Sequence, residues 1–125
     1  MNNWTIKSFV TARGIDVIQE WIESLPIKAQ VAVDQRITFL ALKGYWYRPY
    51  AHKLKGYDGI WEIIIQQENV QYRPLGCFGP GEKVFSLLIG AKEKNNKFEP
   101  KGAPKIAEKR KKMIFQKEGY LNEYF

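Results

Sequence analysis

The chain has one cysteine, Cys77, and one histidine, His52, among its 125 residues. A lone thiol cannot close an internal disulfide, and no set of residues has metal-ligand spacing, so neither a secreted disulfide framework nor a zinc site is available. We expect no metal and no cofactor, and Cys77 reads as a small buried hydrophobe. Long apolar runs are missing as well. The longest, such as IIIQ and SLLIGA, fall far short of the roughly 20 residues a membrane-spanning helix requires, and no apolar signal region follows Met1. The expectation is a soluble, cytoplasmic protein with no membrane partner. Internal repeats and low-complexity linkers are also absent, and the length suits a single domain over residues 1–125.

Basic residues are abundant: 20 Lys and Arg against 13 Asp and Glu give a net charge of +7. The excess is local. Residues 1–91 hold ten basic and eight acidic side chains, residues 92–117 hold ten and three, and residues 118–125 hold none and two. Such a segment favours a polyanionic partner.

Hydrophobic content of 45%, including 14% aromatics, is enough for one core. Near the start, Trp4 and Ile6 alternate with Thr5 and Lys7, the period-two pattern of a strand with one buried face. Ile15, Ile18, Ile22 and Leu25 recur at spacings of three and four, a helical face that Trp21 widens and Pro26 ends. Val33, Ile37 and Leu40 repeat the pattern up to Gly44, a left-handed stop. These two helices form a hairpin. GYWYRPYAHKLKGYDG has neither period and reads as an irregular connector. IWEIIIQ, VQYRPLGCF and KVFSLLIGA, separated by the turns QEN and GPGE, predict an antiparallel three-stranded meander. Pro74 removes a donor from the middle run, so that strand either bends there or turns its open edge away. KEKNNKFEPKGAP reads as a basic loop, and Pro104 suits the first turn of a helix through KIAEKRKKMIFQKEGY.

The ordered text from Leu54 to Arg110 (LKGYDGIWEIIIQQENVQYRPLGCFGPGEKVFSLLIGAKEKNNKFEP, then IAEKR) resembles HigB-like, phage-derived toxins of the RelE/ParE superfamily. What they share is a leucine, a glycine-containing turn, an aromatic-Glu pair, a Tyr-Arg pair and a glycine-lysine run before a terminal helix. The resemblance implies a small α+β, RelE-like fold: an N-terminal strand, a two-helix hairpin, the meander packed on the helices, and a basic C-terminal helix. It implies a type II toxin that inhibits translation as a metal-independent, ribosome-dependent mRNA endoribonuclease. The ribosome, mRNA and a cognate helix-turn-helix antitoxin would be its partners. The alternative is a non-catalytic protein, either a ParE-like gyrase inhibitor or a degenerate RNA-binding module.

Metal-free RNA cleavage needs a base, an acid and cations to meet developing phosphate charge. Arg73 matches the family's strand arginine, and a planar guanidinium suits two phosphate oxygens. The bland alternative pairs it with a neighbouring carboxylate such as Glu62. Lys92 and Lys94 share a face by alternation and match the family's basic pair, interrupted by Glu93; solvated surface lysines are the other reading. His52 titrates in the right range for proton transfer, although a lone loop histidine is often an ordinary polar residue. Lys53, Lys55, Lys97, Lys101, Lys105, Lys109, Arg110 and Lys112 could follow an RNA backbone without reading bases, or form a merely solvated face. Glu62 and Ile64 stand where the resemblance calls for basic residues. An isoleucine can neither move a proton nor stabilise phosphate charge. A partner antitoxin is expected to meet the basic surface with an acidic element and to anchor on the helical hairpin near Trp21.

Overall fold

The computed structural model describes residues 3–125. The chain runs β1 (Thr5–Val10), α1 (Val17–Glu23), α2 (Ile27–Lys43), β2 (Ala51–Lys53), β3 (Trp61–Ile63), β4 (Ile65–Gln67), β5 (Val70–Tyr72), β6 (Leu75–Phe78), β7 (Val84–Ile89), β8 (Lys92–Lys94), β9 (Lys97–Glu99), α3 (Ala103–Phe115) and β10 (Tyr120–Glu123). This is a mixed α+β structure with three helices and two sheets among the described residues. One sheet has the order β10-β1-β7-β6-β3-β2 and the other β4-β5-β8-β9.

The helical hairpin forms where the periodicity puts it. Asp16 caps α1 by accepting from the Ile18 and Gln19 amides, and Gly44 closes α2 in the left-handed region at φ 67°. Ile18, Ile22, Leu25, Val33, Ile37 and Leu40 are buried against Ile63, Ile65, Tyr72 and Phe85. Ile15 is not on that face; it precedes the helix and is 39% exposed. On the opposite side of the sheet α3 covers Leu75, Cys77, Leu88 and Ile89 with Ala103, Ala107 and Ile114. Covered on both faces, β7 is buried along its whole length. Cys77 is buried as expected, and burial pushes its thiol up to about 12.

Each of the three meander runs is cut in two at one common level: β3 from β4 at Ile64, β5 from β6 at Arg73–Pro74, and β7 from β8 at Gly90–Ala91. Pro74 cannot donate, so the ladder gives way there. A few bonds still cross the seam, from the Ile63 amide to the Pro74 carbonyl (2.9 Å) and from the Arg73 amide to the Ala91 carbonyl (2.8 Å), while the Ile64 amide turns aside to the Tyr50 carbonyl (2.9 Å). The bend lets Trp21 lie directly on Gly90; a Cβ there would come within 2.0 Å of the indole.

Other departures from the expected plan concern short strands. The connector contains β2, which pairs with β3. The basic loop after β7 is a hairpin, with Lys92, Glu93 and Lys94 opposite Glu99, Phe98 and Lys97, turned by Asn95 and Asn96 at positive φ. The terminal helix stops at Phe115, and the residues after it form β10 against β1. β1 itself runs parallel to β7, which no local pattern announces. Three-residue strands have too few positions to display a period, and parallel pairing is set by distant partners.

Gly90→Ala must displace the Trp21 ring from a close-packed site, an overpacking cost of about 1–3 kcal/mol. Chemical denaturation should show this drop in midpoint, and an unchanged midpoint would mean that Trp21 moves freely.

Candidate functional site

The seam gathers the polar side chains. His52 on β2 lies directly across from Glu62 on β3, with Nδ1 3.4 Å from Oε2. Glu62 Oε1 lies 3.5 Å from Arg73 Nε and has no hydrogen-bond partner although it is buried. Arg73 Nη2 donates to Gln71 Oε1 at 2.6 Å, and Gln71 faces Glu93 across the β5–β8 pair. His52, Glu62, Arg73, Gln71 and Glu93 therefore form one cluster on one face. Burial raises the Glu62 acid above the usual carboxylate range and Glu93 raises it further, while Arg73 and His52 pull it back. A carboxyl group so placed can exchange a proton with the neighbouring imidazole.

Arg73 takes the alternative setting, beside Glu62. Only 8% of it is exposed, and Nη1 donates to the carbonyls of Ile65 (3.2 Å) and Tyr72 (3.0 Å). The seam leaves those carbonyls within reach of a side chain, and the guanidinium fills the gap. The ion pair with Glu62 is thus its setting, and the phosphate-holding role assigned to it lacks an open face. Lys92 lies on the other face of the sheet: it sits opposite Tyr72, half-buried, with its ammonium 5.8 Å from the centre of that ring. The structure thus brings His52 and Arg73 together and sets Lys92 apart.

Lys94, by contrast, is exposed, and with Lys97 and Lys101 it borders a groove of about 690 Å³ that Tyr57, Asn95, Asn96 and one carboxylate, Glu99, also line. The groove meets the start of α3, whose first turn carries Pro104 and no acidic residue. The loop before β3 is tied to that helix. The Asp58 amide donates to Glu108 at 2.8 Å, and Lys111 donates to the Asp58 carbonyl at 2.9 Å. Lys53 and Lys55 on the same hairpin are exposed, as are Lys105, Lys109 and Lys112 at helical spacing along α3. Arg110 does not belong with them. Its Nη1 donates to the Leu88 carbonyl at 2.8 Å and its guanidinium lies 5.0 Å from the centre of the Phe9 ring, so it anchors α3 to β7.

The sequence reading placed Glu62 only in part. Glu62 was read as a departure from a basic position and as a possible partner of Arg73; recognising β2 would also have put it opposite His52. The two asparagines of the groove, Asn95 and Asn96, were missed, and they carry no signal apart from their turn-forming type.

The profile of the family described as "Phage derived protein Gp49-like (DUF891)" matches residues 20–112. The chain belongs to the Gp49-like family. That family is associated with RelE-type, toxin-like proteins, and the matched stretch contains the whole seam cluster and nearly all of the lysine surface. No curated protein and no solved structure matches the chain. Among the described residues no helix is long and apolar enough to cross a membrane.

In this Gp49-like chain Arg73→Ala strips a buried carboxylate of its counter-charge and takes a donor from two carbonyls. Removing one member of such a pair costs about 3–5 kcal/mol. The variant should lose stability in urea before any question of activity arises, and a wild-type midpoint would refute the stapling role. The pH dependence follows from Glu62. Its folded-state pKa is raised, so its contribution to stability is complete below the unfolded value of about 4.3 and is lost as pH rises through the folded value. Glu62→Gln should remove that decline, read as the difference between the two proteins' unfolding midpoints across mildly acidic pH.

Proposed function

We propose that this protein is a type II toxin that acts on RNA, cutting mRNA at the ribosome without a metal. His52 would be the proton-transfer group and Glu62 the residue that orients it. The exposed lysines would hold the phosphates. One observation carries the reading: Lys53, Lys55, Lys94, Lys97, Lys101, Lys105, Lys109 and Lys112 are all exposed, and among the described residues none of them is paired with a carboxylate. Unpaired lysines spread along one groove and one helix face can track a backbone of phosphates. The start of α3, with its aligned peptide dipoles, adds partial positive charge at the groove.

A second reading is a toxin that binds RNA without cutting it. It draws support from Arg73, spent on internal acceptors, from Lys92 on the far face, and from Ile64 where the resemblance calls for a basic side chain. A cognate antitoxin with an acidic element would suit the same lysine surface. Trp21, covered against Gly90, is a poor anchor for it; Ile27 and Val31, 73% and 50% exposed on α2, are better placed.

Induced expression followed by mapping of mRNA 5′ ends separates the two readings. Cleavage should appear with the wild type and fall about 10²- to 10⁴-fold with His52→Ala. Blocked translation with intact mRNA would establish the non-cutting reading. In either case Lys97→Ala with Lys101→Ala should reduce the salt slope of RNA binding by about two units, and an unaltered slope would remove the groove from the interface.

A further inference from the structure

A recess of about 420 Å³ lies between α2 and the edge strand β4 and shares no lining residue with the lysine groove or the seam cluster. Its volume falls within the range of about 300–1,000 Å³ typical of small-ligand sites. Gln35, Arg36 and Phe39 line it from α2, Gln66 and Gln67 from β4, and Tyr50 from the connector. No carboxylate lines it. The Arg36 guanidinium lies 5.1 Å from the centre of the Tyr50 ring and is held there by a hydrogen bond to the Ile64 carbonyl.

Beside the recess the rings continue outward. Tyr50 meets Phe39 at 4.8 Å, and Tyr45 meets Phe39 at 5.7 Å. Tyr45 and Tyr47 stack at 5.5 Å with 27° between their planes, yet they remain 41% and 54% exposed. Aromatic faces left open to water are a platform on which further rings can stack. Glutamine side chains on the rim of the recess offer both donors and acceptors. That mixture suits the edge of a nucleobase, whereas a phosphate would call for several cations and an acidic peptide for more than one.

We propose that this recess takes an unstacked nucleobase of single-stranded RNA, with the ring against the tyrosines and its polar edge toward Gln35, Gln66 and Gln67. The proposal rests on the RNA-directed reading of the protein and assigns that RNA a second point of contact. β4 and β9 are the two edges of the four-stranded sheet, three interstrand spacings or about 14 Å apart. Phosphates held beside β9 and a base held beside β4 would therefore be contacted across one short sheet.

The test uses the full chain and two probes. In the first arm adenosine 5′-monophosphate and uridine 5′-monophosphate are titrated while the side-chain amide NMR signals of the glutamines are followed. Shifts of the Gln35, Gln66 and Gln67 signals support the site, and their absence at millimolar nucleotide overturns it. In the second arm a short single-stranded RNA is compared with an abasic ribose-phosphate chain of equal length. The base-containing chain should bind about fivefold more tightly or better. Gln35→Ala with Gln66→Ala, both at exposed positions, should erase that advantage and leave the salt slope intact, because the lysines are untouched. Equal binding of the two chains by the wild type would refute the base site while leaving the RNA-directed toxin standing. Glutamine shifts with nucleotide, in a protein whose induction leaves translation and mRNA untouched, would refute the toxin reading and keep the base site. Glutamine shifts caused by an acidic antitoxin peptide and not by nucleotide would mark a protein-docking surface and overturn the proposal.

Discussion

The guanidinium of Arg73 holds together a sheet that its own sequence breaks. Pro74 takes a donor out of the middle strand, the Ile64 amide leaves the ladder for Tyr50, and Gly90 gives way to an indole. A buried carbonyl deprived of its partner costs about 1–3 kcal/mol, so donors that reach into the seam offset what the break loses. Arg73 donates to Ile65 and Tyr72, and Arg36 approaches from α2 to donate to Ile64. A guanidinium suits this work because it has several fixed donors and stays charged. Its charge needs an answer in a buried place, and Glu62 supplies it at 3.5 Å. The pair gives the bent meander a polar hinge between its two apolar layers.

The same burial gives Glu62 its chemical interest. A carboxylate answering one arginine in an exposed position would simply ionise and stay so. Here desolvation and Glu93 hold its acid high while Arg73 and His52 oppose them. One oxygen faces the guanidinium and the other the imidazole. A structural ion pair and an oriented histidine are thus two uses of one side chain, and the bend that demands the first creates the second.

Much of this was readable in the residues, and the remainder had a physical reason to be hidden. The long helix α2 shows its buried face through Val33, Ile37 and Leu40 because seventeen residues allow several turns of one period. Pro74 announced an irregularity in its strand, yet nothing local could show that Ile64 and Gly90 break at the same level; that is a property of register across three strands. His52 looked like a loop residue because a three-residue strand cannot display alternation. Its partner Glu62 was in plain view, but at a position where a basic residue was sought. Arg73 and Arg110 drew the eye through their charge, and charge alone does not distinguish a donor aimed at a phosphate from one aimed at a carbonyl.

For most of these side chains that ambiguity resolves along a chemical line, Arg13 and Arg48 being exposed like the lysines. Arg36, Arg73 and Arg110 each spend N–H groups on backbone carbonyls inside the protein, whereas Lys94, Lys97, Lys101, Lys105, Lys109 and Lys112 remain in water. Arginine gains from a fixed, multidentate acceptor set, while lysine keeps a strongly hydrated point charge on a flexible stem. The fold thereby separates charge that stabilises the chain from charge free to meet a partner. The division also shapes what faces outward: the central arginine is committed to Glu62 and two carbonyls, most of the charge left in water is that of mobile lysines, and the one imidazole lies against a buried carboxyl group.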